Sequence, residues 1–139
     1  MQSCDVSVIV GVDAELVSSV GDVEDRIVSE SRAFLPADVK EQLQDTVNEI
    51  VRPFGLETRL VLLERVNSIA LMFLCMTLSA VMSLRDQWRT GQLRDIVEKL
   101  FTFLAGTTRR VFVKRLTWPV TDYERCCAFF NSLQGKQMI

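Results

Sequence analysis

The sequence predicts an all-α domain, and three observations carry that expectation. Apolar residues recur at three- and four-residue intervals through most of the chain, the spacing of one helix face. Apolar residues make up 48% of the 139 positions, with only six glycines and three prolines, which argues against disorder and for a compact helical fold. The segment from Val66 to Leu84 carries no charge and is bounded by Arg65 and Arg85. A helix that is apolar all round is either the buried centre of a bundle or a membrane span. The amphipathic segments on both sides need a surface to cover, so the buried centre is the expectation.

The elements follow in order. Val6–Val10 hints at a strand, but one strand cannot build a sheet. Leu16, Val20, Val23 and Ile27 fall on one helical face. After Pro36, placed in a first turn with Asp38 close behind, Val39, Leu43, Val47, Ile50 and Val51 form a second stripe. Leu56, Leu60 and Leu63 form a third, and the apolar helix over about 67–84 occupies the centre. Leu93, Ile96, Val97, Leu100, Phe101 and Leu104 make a strong fourth stripe. The last runs through Tyr123, Cys126, Cys127, Phe130 and Leu133, and Thr121-x-x-Glu124 has the pattern of a capping box at its start. Residues 1–139 read as one domain, since the chain is short for two.

Composition narrows the chemistry. Sixteen Lys and Arg against eighteen Asp and Glu give a net charge of −2, unlike the strongly basic balance of a nucleic-acid binder. There is no histidine, which removes Ser-His-Asp and Cys-His nucleophiles and imidazole-based zinc sites. Cys4, Cys75, Cys126 and Cys127 contain no C-x-x-C pair and read as reduced, packed thiols. Asp13, Glu15, Asp22 and Glu24 read as one solvated helix surface rather than a catalytic set. The expectation is a protein with no catalytic residues, no metal and no cofactor. Asp5 and Asp13 interrupt the early apolar run and no basic region precedes it, so no signal peptide is expected and the location is cytoplasmic.

Three short motifs stand in order along the chain, around the uncharged segment. Val17-Ser-Ser-Val20-Gly21-Asp22 is similar to the third Bcl-2 homology motif. Leu60-Val-Leu-Leu-Glu-Arg65-Val66-Asn67, followed at once by the apolar segment, resembles the first. Trp118-Pro-Val-Thr-Asp-Tyr123 through Phe129-Phe130 looks like the second, so the three resemble the Bcl-2 family in its own order. The sequence departs from the first motif where the family's Trp-Gly-Arg is replaced by Ser68-Ile69-Ala70, so Ala70 stands where an arginine would pair with a partner helix's aspartate. No apolar tail follows Leu133, so no C-terminal membrane anchor is expected, and a short, divergent chain of this kind resembles the virus-encoded members.

The resemblance implies a Bcl-2-like bundle that inhibits apoptosis by sequestering the BH-3 helix of a pro-apoptotic protein in a surface groove. Carried onto this chain, the groove residues are Ile27, Val28, Leu60, Val61, Arg65, Asn67, Ala70 and Met72. Trp118 and Tyr123 would seal its base, and Trp88 would be either packing or an exposed contact. Without the arginine, binding rests on apolar anchors, which implies a narrow range of partners. An open groove also suits a homodimer, and the implied location is cytoplasmic with peripheral attachment to mitochondria. Two alternatives share these features: a pro-apoptotic, membrane-permeabilising protein of the same fold, and an unrelated helical protein spanning a membrane at 66–84.

Overall fold

The computed structural model describes residues 6–17, 21–35, 45–66, 68–106 and 110–137. Its architecture corrects the all-α expectation: a four-stranded antiparallel sheet carries a layer of helices on one face. In chain order the elements are β1 (Val8–Leu16), α1 (Gly21–Ser31), α2 (Asp45–Val51), a short 3-10 turn (Arg52–Phe54), β2 (Thr58–Arg65), β3 (Ile69–Cys75), α3 (Leu78–Thr90), α4 (Gln92–Ala105), β4 (Val113–Thr117) and α5 (Val120–Gln137). The strands lie in the order β2-β3-β1-β4, so β1 pairs with β3 from the middle of the chain and with β4 from near its end.

Strand β1 has the alternation of a half-buried strand. Val8, Val10, Val12, Ala14 and Leu16 are buried under the helices, and Ile9, Gly11, Asp13 and Glu15 point to the other face. The helical stripe expected through Leu16 is therefore broken: Leu16 ends β1, while Val23 and Ile27 belong to α1. Val47, Ile50 and Val51 do lie on a helix, α2, and the residues from Pro36 to Leu43 lie outside those described.

The expected central helix at 67–84 divides in two. Its first half is β3, in which Ile69, Leu71, Phe73 and Cys75 are fully buried and Ala70, Met72 and Leu74 are buried or half-buried. Because Ala70, Met72 and Leu74 on its other face are apolar too, β3 lacks the polar alternation of a half-buried strand and reads like a buried helix. Thr77 makes the break. Its backbone is extended (φ −140°, ψ 161°), and its hydroxyl accepts from the Ala80 amide at 3.0 Å, capping α3. The same hydroxyl donates to Glu57 Oε1 at 2.9 Å, holding the helix start against the turn before β2.

Leu60 and Leu63, expected on a helix, are both buried on β2. Residues three apart in a regular strand face opposite ways. Here the register against β3 shifts between Leu60 and Leu62, so a bulge at Val61 adds the residue that returns Leu63 to the core. A second shift, between Glu15 and Leu16, lets Lys114 bulge from β4.

The helical layer is held by α1 and α3 against α4 and by α3 against α5. As expected, the stripe Leu93, Ile96, Val97, Leu100, Phe101 and Leu104 is the buried face of α4. Gly106 ends that helix in the left-handed region (φ 66°), where its amide donates to the Phe103 carbonyl. Glu98, buried on α4, accepts from the Val113 amide at 2.7 Å and so fixes the start of β4. Helix α5 opens at Val120, with Pro119 accepting the amides of Asp122 and Tyr123, so Thr121 lies inside the first turn rather than at the cap. No helix among the described residues is long and apolar enough to cross a membrane, which removes the expected alternative of a span at 66–84.

Candidate interaction surface

The sheet divides the expected groove residues. Ile27 and Val28 on α1 and Leu60 on β2 are buried on the helix-covered side. Val61, Ala70 and Met72 belong to the opposite face, and Asn67 lies outside the described residues. Arg65 reaches toward the helices, donating Nη2 to the buried Glu24 at 2.9 Å and Nε to Asp25 at 3.2 Å. It ties the end of β2 to α1. The described ones among the expected residues thus lie on both faces of the sheet and form no groove between helices.

What the structure does present is the uncovered face of the sheet. Cross-strand pairing arranges it in rows. Arg59, Leu74 and Ile9 form the first, and Leu62, Met72 and Gly11 the second. Glu64, Ala70, Asp13 and Thr117 form the third, with Glu15 and Arg115 beyond it. Gly11 leaves room for Met72, whose sulfur would lie 3.5 Å from a Cβ added there. The bulge places both Val61 and Leu62 between the core-facing Leu60 and Leu63, doubling the apolar side chains that β2 contributes to this face. Ile9 is 46% and Leu62 42% exposed, while Val61, Met72 and Leu74 are half-buried.

The charges on this face are uneven. Glu15 is neutralised by Lys114 Nζ at 3.7 Å and Arg115 Nη1 at 4.0 Å. Asp13, Glu64 and Arg59 make no ion pair among the described residues. An apolar centre is therefore bounded by two acidic residues at one end and by Arg59 at a corner of the other.

At the junction of α3, β4 and α5, three aromatic rings surround a cation. The Arg85 guanidinium lies 4.2 Å from the Trp88 ring centre, 4.9 Å from Tyr123 and 5.1 Å from Trp118. Its Nη1 donates to the Trp118 carbonyl at 2.9 Å, and the Trp88 indole donates to the Leu116 carbonyl at 3.0 Å. Trp118 meets Tyr123 edge to face and donates to Asp122 at 3.1 Å. Trp88 is thereby packing, and Trp118 and Tyr123 seal this junction. Because the cage is filled by Arg85, it serves as a clamp, not a receptor for an outside cation.

Cys75 and Cys126 are buried, packed thiols. Burial pushes Cys75 up to about 11 and also raises Cys126. A raised pKa suppresses the thiolate that nucleophilic chemistry needs. Among the described residues no group of three or more Cys, Asp or Glu could hold a metal ion.

The open face was missed in the sequence because it mixes Ile9 with Asp13 and Glu15, which read as a solvated helix surface; the strict alternation from Val8 to Leu16 was the signal that could have found it. No protein-family model matches the chain, and no curated protein or solved structure is similar to it at a significant level.

Proposed function

We propose that the protein is a binding module whose open sheet face receives an amphipathic helix of a partner protein. The observation that carries this reading is the contiguous apolar centre formed by Ile9, Val61, Leu62, Met72 and Leu74 on an uncovered sheet. A sheet with helices on one side is completed by a helix on the other, which is how three-layer folds bury the second face. Asp13 and Glu64 favour a partner whose apolar stripe is followed by a basic residue.

A BH-3 helix belongs to the same structural class of ligand, although the described groove residues of the Bcl-2 resemblance lie on both faces of the sheet. The test is therefore a titration of the protein with fluorescently labelled amphipathic helices, among them BH-3 helices and helices ending in Lys or Arg. Binding should be lost at least about tenfold in Ile9→Asp and in Met72→Asp, because each puts a charge at the centre of the contact. Met82→Asp, on an exposed position of α3, should leave it unchanged. Unaltered melting temperatures would assign the losses to the face. Failure of every helix to bind, or binding indifferent to Ile9→Asp, would sink the proposal.

A further inference from the structure

Strand β2 is an edge of the sheet, paired among the described residues only with β3. Unpaired edges are ordinarily blunted, because their free amides and carbonyls invite another strand. This one is eight residues long and free of proline. Its sequence is Thr58-Arg-Leu-Val-Leu-Leu-Glu-Arg65.

Written against itself in the antiparallel sense about a point midway between Val61 and Leu62, the strand is self-complementary. Arg59 falls opposite Glu64, Leu60 opposite Leu63 and Val61 opposite Leu62. In a regular strand this register would fail. Arg59 and Glu64 would point to opposite faces, whereas residues directly opposed in an antiparallel pair share a face. The bulge at Val61 removes that objection. It puts Arg59, Val61, Leu62 and Glu64 all on the open face, and Leu60 with Leu63 in the core. The face pattern then reads the same in both directions, as a two-fold axis perpendicular to the sheet requires.

We propose that the partner of this edge is a second copy of the chain, joined β2 to β2 in that register so that two four-stranded sheets become one. Arg59 and Glu64, each without an ion pair among the described residues, then pair twice across the axis, once from each copy. Val61 and Leu62 of both copies gather at the axis, where each covers part of the Leu62 surface, 42% exposed in one copy, that faces the edge. The helical layers fall on the same side, so the two open faces join into one platform of double width. A bivalent partner would gain avidity from such a platform.

Sedimentation equilibrium of the full chain, over a hundredfold range of concentration, tests this with charge reversal. The wild-type protein should show a concentration-dependent monomer–dimer equilibrium. Arg59→Glu and Glu64→Arg each turn both cross-axis attractions into repulsions, and each should raise the dimer Kd by about tenfold or more. The doubly substituted R59E/E64R protein restores opposite charges across the axis and should recover the dimer. Both positions are exposed, and the recovery separates lost pairing from lost folding. A concentration-independent monomer, a dimer indifferent to the single reversals, or a double variant no better than the single ones would each overturn the proposal. Helix binding is read in Ile9→Asp and Met72→Asp, and the dimer by sedimentation of the chain with no helix present, so either proposal can fail without the other.

Discussion

Cys75 closes β3 with no exposed surface, its sulfur 4.0 Å from the Thr58 hydroxyl. Burial disfavours the thiolate, and the Thr58 contact offsets only part of that, so the thiol titrates at about 11 instead of 9.0. The folded chain consequently keeps a proton that the unfolded chain gives up in this interval. The stabilisation is complete below about pH 9 and is lost as pH rises toward 11, a fall of about 2–3 kcal/mol for this one group. Urea unfolding at a series of pH values from 8 upward should show that slope, and Cys75→Ala should flatten it relative to wild type. The residue type alone suggested a packed, reduced thiol, and the structure agrees for Cys75 and Cys126. The magnitude of the shift needs the surroundings: Thr58 comes from the neighbouring strand and Cys126 from a distant helix.

Among elements, β2 and α1 are joined by one charge cluster whose partners the sequence separates widely. Glu24 is almost fully buried, and its counter-charge is Arg65, itself about one-third exposed. Arg65→Ala leaves a carboxylate under the helix without compensation and should cost about 2–4 kcal/mol. The double variant Arg65→Ala with Glu24→Gln should recover part of that loss, because the buried group is then neutral. Denaturant midpoints of the four proteins in the cycle measure the coupling. The cap of α3 makes a smaller, local contribution: Thr77→Ala should cost about 1 kcal/mol, read from the same denaturant curves. Helices α4 and α5 were legible in the sequence because each shows one polar and one apolar face within its own length. Strands β2 and β3 were not. The bulge gives Leu60 and Leu63 a helical spacing, and the apolar residues on both faces of β3 remove the polar alternation that marks a strand. The motif match over Leu60–Arg65 therefore fell on a bulged strand, and its Asn67 lies outside the described residues.

At the scale of the whole molecule, Arg85 fastens the C-terminal third to the rest. Its guanidinium stacks on rings from α3, α5 and the end of β4, and it is hydrogen-bonded to the Trp118 carbonyl. Arg85→Ala should lower stability by about 2 kcal/mol, and Arg85→Lys should recover less than half, since an ammonium cannot stack its plane on Trp88 while donating to the carbonyl. Thermal melting followed at the tryptophan fluorescence reads both. The amino-acid sequence by itself determined which segments could be amphipathic helices, that no imidazole chemistry operates here, and that a substantial apolar core must form. Those are consequences of composition and of periodicity within one element. Only the tertiary structure decided that the uncharged run at 66–84 is a strand followed by a helix, that β1 lies between β3 and β4, and that Ile9, Leu62 and Met72 meet on an open face. A sheet is made of hydrogen bonds between residues far apart in the chain. Its pairing order and its covered face are settled when the strands meet, and local periodicity contains neither.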